Sequence, residues 1–369
     1  MKRIVVVYGT RPEAIKLAPV IMELRKVSEF ETVIVVTAQH RELLDMMNTI
    51  FGITPDVDLD LMKERQSLED LSSRALKKLS ELFDDLRPDL VVVQGDTTTA
   101  FIAALASFYK RVPVAHVEAG LRTNNRYSPF PEEINRRLIS HLATFHFAPT
   151  KKAVDNLAQE GIKENVWITG NTVVDALFWM VNEKKEELEK AFLRVLPGFD
   201  GKTRLLLLTM HRRENWGEPM RRALTALKNL IEGRNDFLVV YPVHPNPAVK
   251  KVAYEVLEDV SNVFLTNPLD YLSMIAVMSK SYAVLTDSGG IQEEAPSFRV
   301  PVLVLRDTTE RPELIESGFG KLVGTDPETI KSELKVLLNG GFSVSGEKNP
   351  FGDGKASKRI VEVLLSHLV

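Results

Sequence analysis

Three acidic residues mark where this sequence could do chemistry. Asp96 in QGDTTTA, Glu118 in HVEAGLR and Glu132 in FPEEINRR each stand at the end of an apolar run or the start of a helical one. Carboxylates so placed can accept, hold or return a proton beside a bound ligand. Asp96 and Glu132 also suit a helix N-cap or first turn. Arg136, four residues after Glu132, suits a helical ion pair with it. Glu118 follows its apolar run directly and is harder to explain structurally. Cationic groups come next. In GTRPEAIKLAP, Arg11 can fork onto a phosphate and Lys16 can add a point charge, while Pro12 suits the first helical position. Their five-residue step turns roughly 140° around a helix, so geometry alone does not put both on one ligand. LTDSGGIQEEAP (285–296) reads as a strand, a Ser-Gly-Gly turn and a helix start. Ser288, Gly289 and Gly290 would let backbone amides approach an anion. Glu293 and Glu294 are expected in the first helical turn, where a carboxylate can accept from a ribose. His211 in TMHRRENWG ends a buried-type strand beside Arg212 and Arg213, whose charges would hold it neutral or make it an anion contact.

The elements that position these residues alternate. Short β-branched or leucine-rich runs fall at 4–8, 32–38, 89–95, 112–117, 144–150 and 165–170, then at 204–210, 236–243, 262–266, 282–287, 301–307 and 320–324. They are continuously apolar, as strands buried on both faces of a parallel sheet are. Amphipathic segments separate them, such as 67–87 with Leu68, Leu71, Ala75, Leu79 and Leu82. Twelve strands exceed an ordinary single sheet. The pattern therefore predicts an α/β protein of two doubly wound, Rossmann-like parallel-sheet domains with a cleft between them. The N-terminal domain is expected to span 1–170 and the C-terminal domain 171–354, the break preceding a charged helical segment at 173–196. A polar, glycine-rich link at 339–354 leads to a last helix, 355–369, that can pack on either domain. Ligands of such sheets bind outside the carboxyl ends of the strands, and the polar residues named above gather there in both halves.

Composition narrows the options. With 369 residues, 44% hydrophobic and 26% charged, the chain is an ordinary globular one. A formal net charge of −3 argues against a generic nucleic-acid binder. There is no cysteine, which excludes disulfides, thiolate metal sites and thiol catalysis. The seven histidines form no i, i+4 pair, so no metal is expected. The N-terminal apolar run is too short for a signal peptide, and no stretch approaches ~18 apolar residues; neither membrane nor secretion is expected, and the cytoplasm is the default. Neither a Walker A motif nor GxGxxG is present, so no NTPase or dinucleotide cofactor is expected.

Ten ordered motifs then resemble one family across essentially the whole chain: GTRPEAIKLAP, AQHRELLD, MKERQSL, VQGDTTTA, HVEAGLRT, PFPEEINRR, MHRRENWGEP, YPVHPNP, LTDSGGIQEEAP and LRDTTERPE. The sequence resembles the non-hydrolysing UDP-N-acetylglucosamine 2-epimerases of bacteria. The resemblance implies a GT-B fold, a homodimer, no cofactor, and reversible conversion of UDP-GlcNAc to UDP-ManNAc for cell-surface polysaccharides. By motif, it assigns catalysis to Asp96, Glu118, Glu132 and His211. It assigns UDP binding to Arg11, Lys16, Arg136, Ser288, Gly289, Gly290, Glu294 and Arg311. It implies a second, allosteric UDP-GlcNAc site at Gln39, His40, Arg65, Gln66, Arg212 and His244. The sugar C2 proton has no adjacent carbonyl, and the family removes it by eliminating UDP to a 2-acetamidoglucal and re-adding it. Three rivals share the nucleotide site: a GT-B glycosyltransferase, a hydrolysing 2-epimerase and a non-catalytic UDP-sugar sensor.

Overall fold

Continuous apolar runs form strands that need cover on both faces, and the intervening amphipathic segments supply it as helices. The computed structural model describes residues 1–37, 41–61, 67–342 and 344–369, with Arg41 and Glu42 described in backbone only. The strands are β1 (Lys2–Tyr8), β2 (Phe30–Val36), β3 (Val57–Asp58), β4 (Leu90–Gln94), β5 (Val114–Val117), β6 (Phe145–Ala148) and β7 (Val166–Ile168), then β8 (Arg204–Thr209), β9 (Phe237–Pro242), β10 (Val263–Thr266), β11 (Ala283–Thr286), β12 (Val302–Val304) and β13 (Gly320–Leu322). Each of the twelve expected runs overlaps a strand, with β1 and β2 starting two residues earlier than expected. The two-residue β3, paired to β2 through Val35–Val57, was missed because two residues carry no periodicity. The helix expected from 67 begins at Leu68, with the Ser67 hydroxyl accepting from the Asp70 amide at 3.2 Å. Its buried stripe is Leu71, Ala75, Leu79 and Phe83, while Leu68 at its first turn is exposed.

The strands make two all-parallel sheets, ordered β3-β2-β1-β4-β5-β6-β7 and β10-β9-β8-β11-β12-β13. In each, the chain starts in the middle, winds outward on one side, then crosses back. The order therefore reverses between β1 and β4 in the first sheet and between β8 and β11 in the second. Such a switch point opens a crevice at the carboxyl ends of the two strands.

The chain forms two compact units, Met1–Phe178 with Phe351–Val369, and Trp179–Pro350. The division falls inside the helix Thr172–Glu183, beyond the break expected after Gly170. A second helix, Lys185–Val195, follows, so the single helical segment expected at 173–196 is two. The shift has a cause. Asp175, in the first turn of Thr172–Glu183, accepts from the Ala356 amide (3.1 Å), the Ser357 amide (2.7 Å) and the Ser357 hydroxyl (2.5 Å). The last helix, Ala356–Leu368, is thereby capped by the first unit. Its His367 ring meets Phe145 and Trp167 edge-on, at 5.7 and 5.3 Å. The glycine-rich link expected at 339–354 carries buried Phe351, whose carbonyl accepts from the Asn171 amide at 2.6 Å. Among the described residues no helix is long and apolar enough to cross a membrane.

Candidate active site

In the first unit the loops after β1, β4 and β5 open at or beside the switch point. Gly9 follows β1, and a side chain there would lie 2.1 Å from the Thr37 hydroxyl and 2.7 Å from that of Thr99. Glu13, in the first turn of Arg11–Leu24, reaches back to close this loop. Its carboxylate accepts from the amides of Gly9 (3.0 Å) and Thr10 (2.8 Å), the Thr10 hydroxyl (2.8 Å) and the Thr97 hydroxyl (2.6 Å). Burial pushes this carboxyl up from its ordinary value against those four donors. One side chain thus ties the Arg11 loop to the Asp96 loop.

Asp96 follows β4 and Gly95, whose φ of +70° a side chain would strain. The helix cap there is Thr97, which accepts from the Ala100 amide at 3.0 Å, so capping does not explain Asp96. Its carboxylate instead makes an ion pair with Arg136, and its carbonyl accepts from Asn135 at 2.9 Å. Arg136 does not serve Glu132 as an i, i+4 partner. It pairs with Asp96 and, at 3.4 Å, with fully buried Glu133. Glu133 also accepts from the Thr123 amide at 2.9 Å and from Arg137 at 3.1 Å. Glu132 opens the helix Glu132–Leu142, with one carboxylate oxygen buried and without a hydrogen-bond partner.

Glu118 directly follows β5 in a left-handed conformation, φ +65°, a backbone state that costs a non-glycine residue of order 1–3 kcal/mol and clusters at functional sites. Its side chain is 7% exposed and holds three donors: Lys16, Gln94, and Asn171 at 2.9 Å. Lys16, expected on the nucleotide, makes its close ion pair with this acid. Gln94 and Asn171 were missed from the sequence because nothing local marks an amide 24 or 53 residues away as a carboxylate partner.

In the second unit, Asp287 follows β11 with no exposed surface. It accepts from the amides of His211 (2.9 Å) and Arg212 (2.9 Å) and from the Asn215 amide side chain (3.0 Å). It therefore joins the two strand ends that flank the switch point. His211 Nδ1 lies 3.4 Å from the same carboxylate, and its ring stacks on His244 at 5.8 Å. Burial holds the imidazole below its ordinary range, with Arg212 and His244 adding to this and Asp287 opposing it. Ser288 precedes the short helix Gly289–Glu294, and around Gly290 a side chain would meet nothing. Glu293 and Glu294 lie at the end of this six-residue helix, not in its first turn. Glu293 pairs with Arg311 at 2.8 Å, and Glu294 accepts from the Tyr271 hydroxyl at 2.9 Å. Among the described residues no cluster of three or more His, Asp or Glu side chains is arranged to hold a metal ion.

Two buried histidines lie behind the first site. His116 Nε2 donates to the Gly95 carbonyl at 2.7 Å, and His146 is its register neighbour on β6. Burial pushes both down to about 4 from an ordinary 6.5. The native rings stay neutral, whereas unfolded ones bind protons below pH 6.5. Stability is therefore lost as pH falls from 6.5 towards 4, by ~3 kcal/mol per ring. Urea midpoints should drop between pH 7 and 5, and less so in His146→Asn. Equal midpoints in the native protein would contradict this.

A family model described as UDP-N-acetylglucosamine 2-epimerase matches residues 22–365. The chain belongs to this family. A UDP-N-acetylglucosamine 2-epimerase of Bacillus subtilis is 49% identical over 371 residues, covering 99% of this chain and 95% of the relative. The crystal structure of Neisseria meningitidis UDP-GlcNAc 2-epimerase bound to UDP-GlcNAc superposes with a TM-score of 0.92 at 45% identity, covering 99% of this chain and all of that one. That of Methanocaldococcus jannaschii UDP-GlcNAc 2-epimerase, in complex with UDP-GlcNAc and UDP, gives 0.82 at 34%, with 99% and 100% covered. The two parallel-sheet units are the GT-B-like architecture expected of a 2-epimerase. Of the residues that the epimerase resemblance assigns to a second nucleotide-sugar site, Gln39, His40, Arg65 and Gln66 lie outside the described residues. Arg212 has a buried Nε without a partner, and His244 stacks on His211.

Proposed function

We propose that this chain catalyses the reversible C2 epimerisation of UDP-GlcNAc to UDP-ManNAc. The supporting observation is the carboxylate set of the first unit. Asp96, Glu118 and Glu132 all stand at strand ends or a helix start in a chain of this family; Asp96 and Glu118 hold partners that capping does not account for, and Glu132 keeps one buried oxygen without a hydrogen-bond partner. In this reading the C2 proton and the C1–oxygen bond are lost together, giving UDP and a 2-acetamidoglucal. UDP then returns to C1 while a proton is delivered to the opposite face of C2. Inversion needs proton carriers on both ring faces, which calls for more than one acid. A flattened, cation-like ring also favours nearby carboxylates.

The nucleotide-binding residues that the family resemblance implies are Arg11, Lys16, Arg136, Ser288, Gly289, Gly290, Glu294 and Arg311. Departing diphosphate charge is stabilised by cations and oriented amides. His211, held neutral, would donate to a diphosphate oxygen. We further propose that the enzyme is a cytoplasmic homodimer that needs neither metal nor redox cofactor and binds no nucleic acid.

Incubating the protein with UDP-GlcNAc alone in heavy water, and following anomeric proton signals, tests this. UDP-ManNAc should appear with deuterium at C2, at a rate unchanged by EDTA. Free UDP rising in step with free sugar would identify a hydrolysing enzyme. No reaction without an added acceptor would point to a glycosyltransferase, and no reaction under any condition to a sensor. Product that keeps its original C2 hydrogen would overturn the elimination route.

A further inference from the structure

We infer that Asn171 and Gln94 are positioning residues that aim the Glu118 carboxylate and leave one of its oxygens open for proton transfer. The inference rests on the catalytic reading of Glu118. A carboxylate has about four acceptor positions on its two oxygens. One Glu118 oxygen accepts from both Lys16 and Asn171, the latter at 2.9 Å. The other accepts from Gln94. Three positions are filled, and the fourth lies on the oxygen that Gln94 alone holds. That oxygen faces Gly95, where a side-chain carbon would stand 3.6 Å away.

The donors are rigid. Gln94 is the last residue of β4, 3% exposed. Asn171 is 2% exposed, and its own side-chain oxygen accepts from the Val173 amide at 3.1 Å. That bond decides which end of the amide faces Glu118: the nitrogen does. The Glu118 backbone is clamped separately, since the Ala119 amide donates to Phe147 and the Gly95 amide to Val117, both at 3.0 Å. Sheet bonds thus orient the main chain, and the two amides orient the long side chain beyond it. A mobile glutamate would lose alignment with the transferred proton.

The isosteric change Asn171→Asp keeps an oxygen for the Val173 amide, and so keeps the turn, but turns a second acceptor on Glu118. Gln94→Met removes the other donor at similar size without adding charge. Each full-length variant should lower kcat for UDP-GlcNAc epimerisation at least ~10-fold with KM within about threefold; Gln94→Met should keep its thermal midpoint within a few degrees, whereas Asn171→Asp, which sets a second carboxylate against Glu118, should lower it. A merely structural role would instead lower the midpoint and spare kcat in the folded fraction. Near-normal kcat in both variants, beside a crippled Glu118→Gln, overturns the inference alone. Near-normal kcat in Glu118→Gln overturns the catalytic reading, and the inference with it.

Discussion

Replacing Glu118 by Gln is expected to lower kcat ~10²–10⁴-fold, the usual worth of a general acid or base. The amide keeps the size and the left-handed backbone position of the glutamate, and its oxygen can still accept from Lys16 or Asn171. It cannot take up or release a proton at neutral pH. KM should therefore move little, because the loss falls on the chemical step. Asp96→Asn and Glu132→Gln should each cost ~10²-fold or more, but for different neighbours. The change Asp96→Asn would also abandon the ion pair with Arg136, so KM should rise in that variant, whereas Glu132→Gln breaks no ion pair seen among the described residues. Steady-state kinetics of the three folded variants decide the matter. Turnover in Glu118→Gln within a few-fold of the native rate would remove that residue from the mechanism.

Asp287→Ala should destabilise the second unit by ~3–5 kcal/mol and abolish turnover. The carboxylate is fully buried and holds the backbone amides of His211 and Arg212 and the side chain of Asn215. Truncation leaves those three donors without an acceptor where water cannot readily replace it, and each such orphan costs about 1–3 kcal/mol. The same bonds set where the His211 ring stands. Asp287→Asn separates the two effects. It keeps the shape but turns one nitrogen towards donors, so it should fold with a lowered midpoint while kcat falls at least ~10-fold through a displaced imidazole. Chemical unfolding followed by circular dichroism reports the stability, and kcat at saturating UDP-GlcNAc reports the site. A native unfolding midpoint in Asp287→Ala would mean that this buried carboxylate holds nothing together.

How much of this was legible beforehand follows from range. Strand runs such as 4–8 and 89–95 are continuous, and continuity along a few residues already states that both faces of a strand are covered. The parallel sheets follow from that; the two-unit organisation follows from counting twelve such runs in 369 residues, and the placing of reactive residues from what stands after each run. The motifs then added the family, because each preserves local chemistry in order along the chain. Contacts between distant segments carry no such mark. Arg136 faced a nearby acid in sequence, at Glu132, yet pairs with Asp96, because the helix Glu132–Leu142 packs on the helix Thr98–Tyr109 that begins just after Asp96 and brings a residue forty positions back within reach. Lys16 shows the same for Glu118, 102 residues on.

By itself, then, the sequence determined which elements form, which faces are buried and which side chains can carry protons or phosphate, since hydrophobic period, turn chemistry and side-chain type are properties of neighbouring residues. Only the tertiary structure decided the partners: the strand order that puts β1 against β4 and β8 against β11, the amides of Gln94 and Asn171 on Glu118, the buried Asp287 under His211, and the return of the last helix to Asp175. Those depend on where the sheets bring remote segments within about 3 Å, a distance that hydrogen bonds read and local periodicity does not.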